Sequence, residues 1–249
     1  MQPRYVGDRS APLHDYRVER GIFRGKRYAP VELVQYGRGC RFACDFCSIH
    51  SFYGTSVRVR LIDGLLREIE PLPAKRLLFF VDDNLFSNEA ELGELLNAMR
   101  GLKRRWSCQI SIDVARDQRL LDRLAEAGCR FALIGFESPL PANLKQMAKP
   151  WNKVAGPYQD VVRALHSRGI GIYGTFLFGY DADTRDTIDR TCRLRDRVAP
   201  GDRQLQRPDP YAGFGALQPS PRRRPPAVRR NGGSTRLIAT ATRSSSRGA

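Results

Sequence analysis

Between residues 31 and 200, short apolar runs of strand length alternate with stretches whose apolar residues recur at helical spacing. Val31 to Gln35 is the first strand-like run, and Leu61, Ile62, Leu65, Leu66 and Ile69 then fall on one face of a helix. Leu77 to Val81 is apolar throughout, as suits a strand buried on both faces. The next helix starts where Asn88 can cap and Glu91 can reach back, and it continues through Leu92, Leu95, Leu96 and Met99. Trp106 to Val114 alternates, with Cys108, Ile110 and Ile112 on one face and Gln109, Ser111 and Asp113 on the other. Leu120, Leu121 and Leu124 predict a short helix stopped by Gly128, followed by a strand from Phe131 to Phe136. Val161 to His166 is helical, Gly171 to Gly179 is a fifth strand, and Thr184 to Val198 is its helix. About five βα units result, which predicts an α/β fold with a mostly parallel sheet, a partial (βα) barrel.

Parallel strands all point one way, so the loops that follow them gather on one face, where chemistry is done. Four of these strand ends are polar or otherwise chemically distinctive: the loop after the first strand, Asp82-Asp83-Asn84, Glu137-Ser138, and Gly179-Tyr180-Asp181. Carboxylates, amides and exposed backbone gathered at one end of a sheet are groups that can orient a bound small molecule.

The first of those loops carries the most specific chemistry. Cys40, Cys44 and Cys47 stand in a C-x3-C-x2-C array flanked by Gly37 and Gly39, with no fourth cysteine nearby. Three thiolates can hold three irons of a cubic iron–sulfur cluster and leave the fourth open to a ligand. Zinc is the competing reading, with His50 as a fourth ligand, and so is a set of buried free cysteines; Cys108, Cys129 and Cys192 are scattered and add no second pair. The first ten residues are polar, with no apolar leader segment, which points to a reducing cytoplasm and against disulfides or a membrane.

The array resembles the signature of the radical S-adenosylmethionine (SAM) enzymes. That resemblance implies a 4Fe–4S cluster on Cys40, Cys44 and Cys47 whose open iron is chelated by SAM, with Phe46, just before the last cysteine, beside the adenine. Phe80 to Asn84, Ile134 to Ser138 and Gly169 to Asp181 are similar to segments of a subgroup that often carries an N-terminal cobalamin-binding domain. By that likeness Asp82, Asp83 and Asn84 contact the methionine amino group, Glu137 lies near the ribose, and Gly174 to Gly179 supplies backbone near the adenine. The implied fold is a partial barrel of radical SAM type. The implied activity is reductive cleavage of SAM to a 5′-deoxyadenosyl radical, or support of corrinoid-dependent methyl transfer, on an unidentified substrate. An electron donor such as flavodoxin or ferredoxin is the implied partner.

Two regions depart from the pattern. Residues 1–30 resemble the linker that follows a cobalamin domain and are too few to form one. Residues 201–249 contain ten arginines and two acids, half of the chain's net charge of +16, with few large apolar residues. This segment is expected to be disordered in isolation, or to be read in a shifted frame, and the barrel is then incomplete and its turnover in doubt. The competing function is non-enzymatic, an iron–sulfur or zinc module whose basic tail binds RNA or a protein. No interleaved aromatics accompany the arginines, so the nucleic-acid reading is the weaker one. The domain expectation is therefore a linker over 1–30, a core over 31–200 and a tail over 201–249.

Overall fold

The computed structural model describes residue 13 and residues 18–87, 89–198 and 237–240. In chain order the elements are β1 (Val31–Val34), β2 (Gly37–Arg38), α1 (Ser48–Tyr53), β3 (Arg58–Val59), α2 (Ile62–Ile69), β4 (Leu77–Phe80), α3 (Glu89–Leu102) and β5 (Trp106–Ile110). They continue with α4 (Gln118–Glu126), β6 (Cys129–Glu137), α5 (Pro141–Gln146), α6 (Trp151–Val154), α7 (Tyr158–His166), β7 (Gly171–Phe178), α8 (Arg185–Val198) and β8 (Leu237–Thr240). The main sheet runs β1-β4-β5-β6-β7-β8, its first five strands parallel and β8 antiparallel to β7. Five βα units form as the hydrophobic pattern predicts.

The core lies between one face of the sheet and the helices. Leu78, Phe80, Trp106, Cys108 and Ile134 point to that side and are buried, and Leu65, Ile69, Leu95, Leu96, Met99, Leu121, Leu124 and Leu165 meet them from the helices. Each such side chain contributes about 1.5–3 kcal/mol on burial. Phe80 stands edge-on to Trp106 with ring centroids 5.5 Å apart, and the Trp106 indole N–H donates to the Ala127 carbonyl at 2.8 Å. Arg104 closes the turn that follows α2 by donating to the carbonyls of Leu72 and Pro73, at 3.1 and 2.8 Å. Near β1, Arg20 bridges Glu32 and Glu68, at 3.2 and 2.8 Å, and Arg60 joins Glu68 from a buried position.

Three features differ from the sequence expectation. Strand β5 stops at Ile110 and Ile112–Arg116 winds into a 3₁₀ turn, because the Ser111 N–H leaves the sheet ladder for the Asn84 side chain, 3.2 Å away. The antiparallel β2–β3 pair and the short helices α1, α5 and α6 arise in segments with no readable apolar period. Within the tail, Leu237–Thr240 pairs with β7, from Thr175↔Thr240 to Phe178↔Leu237, and occupies the edge that a five-stranded sheet would leave bare. The expected cap at Asn88 and the character of the rest of the tail lie outside the described residues.

Phe80→Ala is expected to lower stability by about 3–5 kcal/mol, through the lost burial and the cavity left against Trp106. A urea titration followed by far-UV circular dichroism measures it.

Candidate functional site

The segment after β1 has little hydrophobic content of its own, and its shape comes from the polar end of β4. Asp82 is 3% exposed and accepts the backbone N–H of Tyr36 at 3.1 Å with one oxygen and that of Gly37 with the other. Asp83 accepts the N–H of Gly39 at 2.8 Å. Asn84 donates to the Cys40 sulfur at 3.7 Å while its carbonyl oxygen takes the Ser111 N–H. Ser87 then accepts the Arg41 N–H at 3.3 Å. Successive residues of one strand end thus hold successive residues of the cysteine loop. Gly39 is required here: its φ is +97°, and a Cβ would collide with the Ser56 carbonyl.

Cys40, Cys44 and Cys47 are partly exposed, and the Cys47 N–H donates to the Cys44 carbonyl at 3.1 Å. Burial pushes the Cys44 thiol up to about 11; nearby Lys149 opposes the shift, and Cys47, Cys40 and Glu137 add to it. The three thiols share the loop without closing on one point, and among the described residues no three His, Cys, Asp or Glu side chains are gathered into a metal-holding group. His50 lies in α1 and joins no such group. The donor chemistry nevertheless suits an iron–sulfur cluster with three protein ligands, since it offers three sulfurs on one loop with an amide N–H aimed at one of them.

The other strand ends close around the loop. Phe46 packs on Leu144, Met147, Leu177 and Tyr180. The Asp45 N–H donates to the Met147 carbonyl at 3.2 Å, and the Tyr180 hydroxyl donates to Asp45 at 2.6 Å. Asp183 accepts the N–H groups of Gly179 and Tyr180, at 2.7 and 3.0 Å, and the amide of Asn143 at 2.7 Å; Asn143 also donates to Ser138 at 3.2 Å. The ends of β6 and β7 are thereby tied together. Gly174 is not part of this convergence, since it sits mid-strand opposite Ile134. A Cβ there would lie 3.2 Å from the Phe136 ring.

Glu137 has φ +61°, a left-handed conformation rare for a residue with a side chain, at a register shift between β6 and β7. It is buried and paired with Lys149, whose ammonium donates to it at 2.6 Å and to the Gly135 carbonyl at 3.1 Å. Asn152 donates to the carbonyls of Gly135 and Phe136, at 3.2 and 3.0 Å, and the Tyr158 hydroxyl donates to those of Phe136 and Ser138, at 2.8 and 3.0 Å. These carbonyls need partners because the irregular strand end turns them out of the ladder. No pattern in the sequence marks Lys149, Asn143, Asn152, Tyr158 or Asp183 as site residues. The one available signal was that a buried glutamate needs a nearby cation.

The radical SAM superfamily profile matches residues 34–195. Bacteriochlorophyllide d C-12(1)-methyltransferase of Chlorobaculum tepidum is 35% identical over 171 residues, covering 67% of this chain and 37% of that protein. Hopanoid C-2 methylase of Rhodopseudomonas palustris is 28% identical over 163 residues, covering 62% of this chain and 31% of its own length. Among solved structures, the radical SAM methyltransferase TsrM of Kitasatospora setae, with tryptophan substrate and the SAM analogue aza-SAM bound, superposes with a TM-score of 0.59 at 20% identity. That alignment covers 68% of this chain and 34% of TsrM, and TsrM has also been solved with cobalamin and a [4Fe-4S] cluster. The likeness to TsrM is one of fold. The matched part of the chain spans about a third of the length of these two relatives, 37% of one and 31% of the other.

Two outcomes follow from the site's internal bonding. Burial raises the Asp82 carboxyl from its ordinary 3.8 to about 7, against the pull of the Tyr36 and Gly37 amides. The folded chain therefore holds this proton more tightly than the unfolded chain does. The stabilisation is complete below about pH 4 and is lost as pH rises to about 7. Asp82→Asn should remove this slope, so urea midpoints of the variant and the parent, compared at pH 5 and pH 8, should diverge. Lys149→Met should cost about 3–5 kcal/mol by leaving Glu137 buried without its cation. Combining it with Glu137→Gln should recover most of that loss in thermal denaturation.

Proposed function

The chain belongs to the radical SAM superfamily, and from that premise we propose that it is the SAM-cleaving core of a methyltransferase-type enzyme, with Cys40, Cys44 and Cys47 as the protein ligands of a 4Fe–4S cluster. The observation that carries this reading is the lacing of the three-cysteine loop to Asp82, Asp83 and Asn84, inside a span that matches the family. The relatives that are methyltransferases motivate the choice of reaction class.

Cys40, Cys44 and Cys47 would hold the cluster, which when bound would supply one electron for the reductive cleavage of SAM. The remaining tasks fall to side chains. Cys44 must give up its proton to ligate, and Lys149 is the neighbour that favours the thiolate. Asn84 holds the Cys40 sulfur from outside the ligand set.

We assign the methionine amino group to Asp83. Asp82 spends both oxygens on backbone amides, and Asn84 spends both ends of its amide on Cys40 and Ser111. Glu137, fixed by Lys149, serves the ribose, while Phe46 and the backbone around Gly179 serve the adenine. Methyl transfer through cobalamin enters only by way of the relatives, and no residue of this chain is assigned to it. A one-electron reductant of the flavodoxin or ferredoxin class completes the reading.

Anaerobic reconstitution with iron and sulfide tests the proposal. The expected result is a brown protein whose 4Fe–4S spectrum changes on adding SAM and whose spectrum and SAM response are both lost in Cys44→Ala. Stoichiometric zinc with no response to SAM overturns it.

A further inference from the structure

A groove of about 500 Å³ opens on the outer side of the cysteine loop. Its lining includes Arg41, Phe42, Lys145, Pro150, Trp151 and Lys153, with no acidic residue. Phe42 lies flat on Trp151, ring centroids 3.9 Å apart and planes 16° off parallel, and the Arg41 guanidinium sits 4.9 Å from the Phe42 centroid. Arg41 is also held by Asp113 at 2.7 Å, which fixes the guanidinium rather than leaving it to sweep through solvent. Lys145 and Lys153 are exposed.

The position of the groove narrows what it can serve. Arg41, Phe42 and Ala43 are the three residues between Cys40 and Cys44, so anything seated there rests on the backbone that carries two of the proposed cluster ligands. A site for small molecules entering the sheet end would be walled by the strand-end carboxylates instead. This one is cationic, aromatic and outward-facing. Surfaces of that kind recruit an acidic partner by long-range attraction and hold it weakly.

We propose that this groove is the docking surface for a small acidic one-electron carrier protein, of the flavodoxin or ferredoxin class, with Lys145 and Lys153 steering the approach. The proposal rests on the radical SAM reading for its purpose. One electron leaves the reduced carrier, which is oxidised by one equivalent, and arrives at the cluster, which is reduced by one; no covalent bond forms or breaks in the transfer. The stacked Phe42 and Trp151 fill the space between the docked partner and the cysteine loop and keep water out of it.

The test uses the full chain and the variant Lys145→Glu/Lys153→Glu, with Lys145→Gln/Lys153→Gln as a milder form. Stopped-flow reduction of the reconstituted protein is driven by flavodoxin hydroquinone, and in parallel by reduced methyl viologen, a cation that gains nothing from lysines. Flavodoxin-driven reduction should slow about tenfold or more in the charge-reversed variant at low salt, with the difference shrinking as salt is added. The viologen rate should not fall, since a cation is not repelled by the introduced carboxylates. Calorimetric titration of oxidised flavodoxin into the unloaded chain should show the same loss of affinity, which decides the docking even if no cluster can be reconstituted. Absence of a cluster would overturn the radical SAM reading alone. Equal flavodoxin rates and affinities in parent and variant overturn the docking surface, as does a variant that loses affinity for a single-stranded RNA while keeping it for flavodoxin.

Discussion

The site depends on one arrangement, in which the side chains at the end of β4 hydrogen-bond to the backbone amides of the loop after β1. The first part of that loop, Gly37 to Arg41, buries no large apolar side chain of its own. Gly37 and Gly39 contribute no side-chain packing, and the cysteines are small and half-buried. A glycine-rich segment loses more conformational freedom on folding than any other, so it stays ordered only where outside groups hold its backbone. Asp82, Asp83 and Ser87 do this for residues 36, 37, 39 and 41, and Asn84 adds a bond to the Cys40 sulfur. Because β1 and β4 are adjacent and parallel, Val34 lies beside Phe80 and the two strand ends emerge side by side. The parallel topology therefore brings the loop within reach of its holders.

Holding a loop with a buried carboxylate is expensive, which shows in the upward shift of Asp82. A second cost appears at Glu137, a left-handed residue whose charge is taken out of water. Local structure gives neither cost a return. Glu137 is over-determined by its surroundings: Lys149 neutralises it, Gly135 leaves room that any Cβ would fill within 2.7 Å of the Lys149 ammonium, and Asn152 and Tyr158 take up the displaced carbonyls. Strain held by so many partners, at the same sheet end as the cysteine loop, marks a place built to present a group rather than to maximise stability. The Cys44 thiol feels both Lys149 and Glu137, so the two costly features share one electrostatic neighbourhood.

The sheet was legible in the sequence because burial imposes period two on strands and 3.6 on helices, and five βα units follow from that alone. The cysteine loop was legible because metal-ligand spacing is a local property. What stayed hidden was everything set by tertiary proximity. Asp82 belongs to the triplet expected to touch a ligand, yet it is consumed by the backbone; nothing in Asp-Asp-Asn says which of the three will point inward. Lys149 sits beyond α5 with no periodic pattern around it, and its importance comes from a glutamate twelve residues away. The end of β5 at Ile110 was invisible for the same reason, since it is set by an amide arriving from β4. The antiparallel β8 lies in a segment whose composition predicted no element at all.

Every side chain that builds the site lies between Tyr36 and Asp183, inside the span that matches the family. Relatives named for a bacteriochlorophyllide and a hopanoid, two chemically distant molecules, align with this chain over comparable spans. What the aligned segments have in common is the family span itself, residues 34–195 of this chain. That agrees with the physical content of the site, whose polar groups are committed to positioning a three-cysteine loop and to presenting a carboxylate or two at its rim. The bonds from Asp82, Asp83, Asn84 and Ser87 to residues 36–41 fix the shape of that loop from outside it, which is the arrangement by which surrounding groups orient candidate ligands.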